Sequence, residues 1–370
     1  MKFLRVEKNV AFVILGVAVL AILIANTAAG SLVAYLANLK MPISGLGIDL
    51  TLRGWVEDFL LVGFFFLVGL ELKHEITDGT LQKPIRLIIP SLAAVFGVIA
   101  PALTYLWLTA GNPALQSGWP IPTATDVTFA LAVFIIFGSK MPRSSRTFLL
   151  AFAIIDDVLA IIIIAVLFAG NLDLTSLGVA VLFGLAFWFA GKVSSPLWVM
   201  IGIGLLVWYF TLMGGVHPTV AGVALALLMP SKWVTRVQTL IHPWVGGLVL
   251  PIFAFFAASI SLSGIATAVD SPVFLAILVR PFAKIIGITL GAWLGLLLLG
   301  KKRDRTMKAL DYLVVSTMGG IGFTVALLVT SLTFEDGSVE KSAASIATLG
   351  SAIIATALAI FALRLRTKSK

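Results

Sequence analysis

The residues best able to do chemistry in this sequence are charged side chains inside otherwise apolar stretches. Asp156 and Asp157 stand in the middle of the run from Phe148 to Leu167, and Asp126 and Lys284 stand inside two other apolar runs. If these runs lie in lipid, each charged group costs roughly 2.5 to 3.5 kcal/mol on insertion scales, and the four together cost roughly 10 to 14 kcal/mol before pairing. A cost of this size indicates a functional site.

Neighbouring carboxylates on one helix point in different directions. Successive side chains diverge by about 100 degrees, so Asp156 and Asp157 cannot both face one spot. We expect one of them to face an aqueous path and the other to meet a cation such as Lys284. Carboxylate oxygens can hold either a hard cation or a proton, which predicts ion transport coupled to protons. A buried ion pair that only fixes the register of two helices is the alternative.

Two apolar runs contain residues that interrupt a helix. One begins with Pro120–Pro122 and continues with Thr123–Asp126, and the other contains Gly319–Gly322. Irregular backbone at membrane depth is tolerated where it packs in protein or lines a wet cavity, and paired breaks in two halves of a chain are typical of a transporter site. Close helix packing by small residues is the alternative explanation for the glycines.

A helix that starts at the first break has its own electrostatic requirement. Its N-terminus exposes unpaired N–H groups and about half a positive charge, which the Asp126 carboxylate can compensate. Lys284 can similarly offset the C-terminus of a half-helix. The Thr125 hydroxyl and the Asp126 carboxylate can also line an ion path.

The composition indicates a protein surrounded largely by lipid. Of the 370 residues, 60% are apolar and 12% are charged, whereas soluble domains carry about 25% charged residues. The net charge of +9 does not indicate a nucleic-acid-binding protein, because the basic residues lie in short gaps between apolar runs. With no cysteine and with His74, His217 and His242 as its histidines, the sequence has no zinc-binding set. We predict no cofactor.

Twelve apolar runs are long enough to cross a membrane as helices, which takes about 20 residues. They lie near 10 to 30, 58 to 80, 87 to 109, 119 to 139, 147 to 169, 174 to 191, 196 to 213, 215 to 230, 243 to 262, 272 to 299, 309 to 333 and 342 to 363. The pattern predicts a single integral membrane domain over residues 1–370.

The distribution of basic residues predicts the orientation of these spans. Of the 26 Lys and Arg residues, 21 lie in the gaps of one side, and only Lys40, Arg53 and Lys341 lie in gaps of the other. Because basic gaps stay in the cytoplasm, both short termini are predicted to be cytoplasmic. Reading the first run as a signal peptide is the alternative, and it would leave eleven spans. In the twelve-span orientation, residues 40–56 form an extracytoplasmic loop or hairpin.

The chain resembles the NhaA family of sodium/proton antiporters in motifs that follow one another along nearly its whole length. These are Phe66–Lys73, Thr123–Ala130, Ala153–Asp157, Gly215–Gly222, His242–Trp244, Leu250–Phe255 and Gly319–Thr324. The resemblance implies twelve transmembrane helices with inverted-topology repeats, in which two interrupted helices cross at the midplane. It also implies exchange of sodium or lithium for protons across the cell inner membrane. If each transported ion displaces the protons of both neighbouring carboxylates, Asp156 and Asp157, this exchange is expected to be electrogenic.

The resemblance assigns roles to particular residues. The ion- and proton-binding residues are Asp156, Asp157, Asp126 and Thr125, of which Asp156 and Asp157 hold the transported sodium, and Lys284 with Asp126 compensates charge. Glu71, Glu75 and His217 match the pH-response region. In that region the expected acidic residue and histidine are replaced by Gln238 and Thr239, which leaves the pH set-point open. Arg280, one turn before Lys284, is either a second functional cation or a packing residue.

Other functional classes fit less well. A sodium-coupled organic-solute symporter can share the fold but does not require adjacent aspartates, and a channel needs no paired breaks. An enzyme is not predicted, because Asp157 is followed by Val158–Ala160 rather than by a prenyl-transferase or protease motif. The partners predicted are sodium, protons and lipid, with no nucleic acid. A homodimer through the 40–56 loop is also expected.

Overall fold

A computed structural model describes residues 7–77, 84–193, 195–262, 265–300 and 306–368. The ends of the chain, which the sequence assigns to the cytoplasm, and basic residues such as Lys83 and Lys301 lie outside these ranges. The described residues contain helices and two isolated β-bridges, and they form no sheet. This confirms the all-α class.

The α-helices follow one another with short connections. They are α1 Glu7–Ala25, α2 Gly30–Ala37, α3 Leu52–Trp55, α4 Leu61–Thr77, α5 Pro84–Leu108, α6 Val127–Phe137, α7 Arg143–Leu167, α8 Leu174–Lys192, α9 Leu197–Met213, α10 Thr219–Leu228, α11 Ser231–Trp244, α12 Leu250–Ala258, α13 Ile265–Asp270, α14 Pro272–Leu278, α15 Arg280–Leu299, α16 Ala309–Gly319, α17 Thr324–Thr333 and α18 Val339–Lys368. π-Helical turns at Val56–Leu60 and Val245–Val249 precede α4 and α12.

Six helices of the described residues are long and apolar enough to cross a membrane, and the number rises to nine if each of three bent helix pairs counts as one span. The chain is therefore an all-α membrane protein, while the predicted count of twelve spans stays a prediction. Several predicted runs fold as helices shorter than a bilayer needs. Examples are α9 and α10, with 17 and 10 residues.

Three elements differ from the sequence pattern. α2 lies between the first predicted run and the predicted 40–56 loop, in a stretch for which no helix was predicted. The predicted run 272–299 is divided between α14 and α15, because Pro281 near the start of α15 has no N–H to continue the preceding helix. The predicted run 243–262 begins inside a longer helix that starts at Ser231.

The chain forms two compact units. The first consists of Met1–Arg5, Ala29–Gln82 and Ile161–Phe256. In this unit α4 packs closely on α10, because Gly222 allows its backbone to approach the carbonyl oxygen of Val62. Residues 40–51 pair through the bridges Lys40–Thr51 and Ile43–Ile48 around a turn in which Gly47 has φ +66°.

The second unit consists of Val6–Ala28, Lys83–Ala160 and Ala257–Lys370. Its most extensive helix contact joins α5 and α15. A Cβ atom at Gly287 or Gly291 would clash with the carbonyl oxygen of Phe96 or Leu92, so glycine allows the two backbones to touch. α15 is thereby held firmly, and it carries Arg280 and Lys284.

Candidate ion-binding site

The first interrupted helix loses its helical conformation between Thr123 and Val127. A 3-10 turn covers Ile121–Thr123, Ala124 is extended, and α6 begins at Val127. The helical segments before and after this break are bent by 41°. Asp126 is the N-cap of α6, and its Oδ1 accepts a hydrogen bond from the N–H of Phe129 at 3.4 Å.

The second interruption separates α16 from α17, which are bent by 50°. Thr324, the first residue of α17, donates from its N–H and its hydroxyl to Oδ2 of Asp126, at 3.3 and 2.7 Å. One buried carboxylate therefore compensates the N-termini of two half-helices. The sequence predicted this role at α6 only.

Further hydrogen bonds join the two breaks directly. The N–H of Asp126 donates to the carbonyl oxygen of Ile321 at 2.7 Å. The Thr125 hydroxyl donates to the carbonyl oxygen of Gly319 at 2.8 Å. Since Thr125 and Asp126 are both buried, polar groups that helical hydrogen bonding leaves unpaired are satisfied across the breaks.

Lys284 is fully buried and brings its ammonium group to the first break. Its Nζ donates to the carbonyl oxygen of Thr123, to the Thr125 hydroxyl at 2.6 Å and to Oδ2 of Asp156 at 3.0 Å. The lysine thus meets a carbonyl at the end of the 3-10 turn and a carboxylate on α7. This geometry suits the charge-compensating role that the resemblance implies.

The two adjacent aspartates lie in different surroundings, as expected from their divergence on α7. Asp156 is 1% exposed, whereas Asp157 is only partly buried. Asp156 is the partner of Lys284, a choice that the sequence left open. Oδ1 of Asp156 is buried and has no hydrogen-bond partner among the described residues. That oxygen can accept a proton or contact a cation.

Arg280, whose role the sequence left open, is fully buried beside the second break. Its Nη2 donates to the carbonyl oxygen of Gly322 at 2.6 Å, while Nε and Nη1 have no partner among the described residues. A Cβ atom at Gly322 would lie 3.1 Å from Nη1. The position of Arg280 one turn before Lys284 was the only sequence signal for it.

The polar atoms around Lys284 and Asp156 include carboxylate, hydroxyl and carbonyl oxygens. Within the described ranges, no group of three or more His, Cys, Asp or Glu side chains could hold a metal ion. Oxygen atoms of these kinds are the ligands that hard cations prefer.

The three predicted pH-response residues belong to the first unit. Glu71 and Glu75 are partly buried, one turn apart near the end of α4. His217 is buried, with Nδ1 2.7 Å from the hydroxyl of Thr219 and Nε2 3.4 Å from Oδ1 of Asp58. Sequence reasoning missed Asp58 because it stands at the predicted start of a span, where an acidic residue is unremarkable.

The two substituted positions of the pH-response region also lie in the first unit. Gln238 and Thr239 are both in α11. The Thr239 hydroxyl donates to the carbonyl oxygen of Thr235, one turn earlier, at 2.7 Å. A hydroxyl used in this way is satisfied locally.

Comparisons with known proteins agree with this architecture. A model of the family described as Na+/H+ antiporter 1 matches residues 1–363. The chain belongs to this family. Among relatives, it is 40% identical to the Na(+)/H(+) antiporter NhaA 2 of Clavibacter michiganensis, over 96% of this chain and 90% of that protein. It is 36% identical to the Na(+)/H(+) antiporter NhaA of Aeromonas hydrophila, over 92% and 88%.

A solved structure extends this family relationship to the fold. The chain aligns with the sodium proton antiporter MjNhaP1 of Methanocaldococcus jannaschii with a TM-score of 0.52 and 18% identity, over 97% of this chain and 96% of that one. At this identity the comparison supports a shared fold alone. Functional comparison therefore rests on the Na+/H+ antiporter 1 family and not on this structure. The resemblance to NhaA that the sequence motifs indicated is confirmed.

Proposed function

We propose that this chain is a secondary active antiporter that exchanges sodium or lithium for protons across the cytoplasmic membrane. The observation that carries the proposal is the buried Asp156–Lys284 pair at 3.0 Å, which lies beside two interrupted helices and next to the partly exposed Asp157. Relatives named as Na(+)/H(+) antiporters favour antiport over sodium-coupled symport of an organic solute.

In the proposed mechanism, sodium and protons compete for the carboxylates of Asp156 and Asp157. Sodium binding displaces protons, and protonation on the other side of the membrane releases sodium. Asp126 keeps the two half-helix N-termini compensated throughout, while Lys284 balances Asp156. Alternating access follows from movement of one part of the fold around the site.

Several finer features belong to the same proposal. The chain has twelve spans with inverted-topology repeats, its interrupted helices cross at the midplane, and both termini are cytoplasmic. Residues 40–56 are extracytoplasmic and provide a homodimer contact. Exchange is electrogenic, and Glu71, Glu75 and His217 contribute to its pH dependence.

The central test is Asp157→Asn in proteoliposomes. Exchange is measured after a pH jump with sodium, lithium and potassium added in turn. We expect the variant to fold and insert but to lose the exchange of sodium and lithium, because an amide neither titrates nor supplies charge. Asp336→Asn is the matched control, since Asp336 forms an ion pair with Lys341 in the connection between α17 and α18. Substantial exchange by Asp157→Asn would refute the assignment.

A further inference from the structure

A cavity of about 440 Å³ lies where α6 turns into α7. Its lining combines basic residues of the first turns of α7, Arg143 and Arg146, with apolar residues that include Ile135 and Met141. The proposed transport site does not use any of them. The connection is one that the sequence assigns to the cytoplasmic side.

The basic side of the cavity is equipped for a phosphate group. Arg143 and Arg146 are three residues apart and therefore share one face of α7. Both are exposed, and neither side chain has an ion-pair partner within the described part of the chain. Arginine binds phosphate through two parallel N–H groups, and the positive end of the 25-residue helix α7 adds to the attraction. The Ser139 and Thr147 hydroxyls also line the cavity.

The apolar side of the cavity distinguishes between possible phosphate ligands. Ile135 is 41% exposed and lines the cavity together with the arginines, and the buried Met141 belongs to the same lining. A free phosphate ion would leave these apolar groups unused, whereas a phospholipid would place its acyl chain along them. Basic pockets between membrane helices on the cytoplasmic side commonly bind anionic headgroups.

We propose that this cavity binds an anionic phospholipid. The headgroup phosphate lies between Arg143 and Arg146, and the first part of an acyl chain lies along Ile135 and Met141. Binding itself does not depend on the proposed transport function. The cavity does, however, join the helix capped by Asp126 to the helix that carries Asp156. On the basis of the proposed antiport, an occupied cavity should also alter exchange.

The binding test uses the full chain in detergent, with phosphatidylglycerol and phosphatidylcholine as probes and native mass spectrometry as the measurement. Since each basic residue contributes about fivefold in affinity for an anionic lipid surface, Arg143→Gln with Arg146→Gln should weaken phosphatidylglycerol binding about 30-fold. Lys140→Gln is the matched control, because Lys140 is an exposed basic residue of the same connection that does not line the cavity. It should leave binding unchanged.

Two further arms separate the possible sources of the phosphate. Ile135→Ser should weaken phosphatidylglycerol binding but not the binding of inorganic phosphate, and phosphatidylcholine should bind weakly to every variant. Equal losses in the Lys140→Gln control and the double variant would show general charge attraction and overturn the proposal. It would also be overturned if inorganic phosphate displaced the lipid at similar concentrations, or if the double variant kept full affinity.

Exchange in vesicles with and without phosphatidylglycerol then tests the coupling separately. A lipid that binds at the arginines and raises exchange only in the parent chain would support the coupling. If binding is lost in the double variant while exchange is identical in both vesicle types, the site stands and the coupling is wrong. If the parent chain shows no exchange in either type of vesicle, the result would instead count against the proposed antiport.

Discussion

Replacing Lys284 by alanine removes the charged partner that pairs with the buried Asp156 carboxylate within the described ranges. Both side chains are almost completely buried, at 0% and 1% exposure, so water cannot take over the role of the lysine. The substitution also removes a donor from the Thr123 carbonyl oxygen and from the Thr125 hydroxyl.

The size of the effect follows from this burial. Removing one member of a buried pair leaves an uncompensated charge and typically costs about 3 to 5 kcal/mol. Adding Asp156→Asn removes that charge, so the double variant should recover part of the loss. An exposed pair is the matched comparison, and Lys40 with Asp49, at 69% and 60% exposure, should contribute at most about 1 kcal/mol.

Thermal unfolding of the purified protein in detergent can measure these differences. The parent and Lys40→Ala should have the highest and nearly equal melting temperatures. The double variant that combines Lys284→Ala with Asp156→Asn should come next, and Lys284→Ala alone should be the least stable. Exchange should be impaired in both Lys284 variants. Strictly additive losses of Lys284→Ala and Asp156→Asn would refute the energetic coupling of this pair.

Further predictions concern the site and its surroundings. Arg280→Met should raise the apparent KM for sodium more than it lowers turnover, because the second break loses its donor to Gly322, and Arg280→Lys should recover part of the loss. Gly287→Ala should lower the melting temperature, as overpacking costs about 1 to 3 kcal/mol, whereas Gly178→Ala, where a Cβ meets nothing within 4 Å, should not. The apparent affinity for sodium should weaken as pH falls, because protons compete with sodium for the site. A sodium jump on a supported membrane should give a current. Exchange without any current would mean one-for-one coupling.

The charged residues of the site could be predicted because lipid makes them expensive. Asp126, Asp156, Asp157 and Lys284 are conspicuous in apolar runs, and the structure brings all four into the second unit. Which aspartate pairs with Lys284 could not be predicted, since it depends on how α7 is rotated about its axis. Rotation is set by packing, such as the contacts of Phe152 in the core.

Neutral partners were harder to predict than charges. Thr324 lies almost 200 positions from Asp126 in the chain. Because a threonine hydroxyl in a membrane helix can bond to its own backbone, the sequence does not indicate that this one donates to Asp126. Gly322 belongs to a predicted helix break, but the sequence does not indicate that its carbonyl oxygen accepts a hydrogen bond from Arg280. The lengths of the helices could not be predicted either, because apolar composition does not indicate where a run such as 272–299 is divided into two helices.

The ammonium group of Lys284 has three protons, and its three acceptors use all of them. Through Thr125, whose own proton goes to Gly319, one of these bonds reaches the second break. A neutral amine has two protons to donate and one lone pair that accepts, so one of its contacts with the Thr123 carbonyl, the Thr125 hydroxyl and the Asp156 carboxylate would be lost or would reverse its direction. Loss of a single proton would therefore rearrange the hydrogen bonds by which the lysine joins a helix end to the site, and a reversed bond to Thr125 would free the Gly319 carbonyl at the second break.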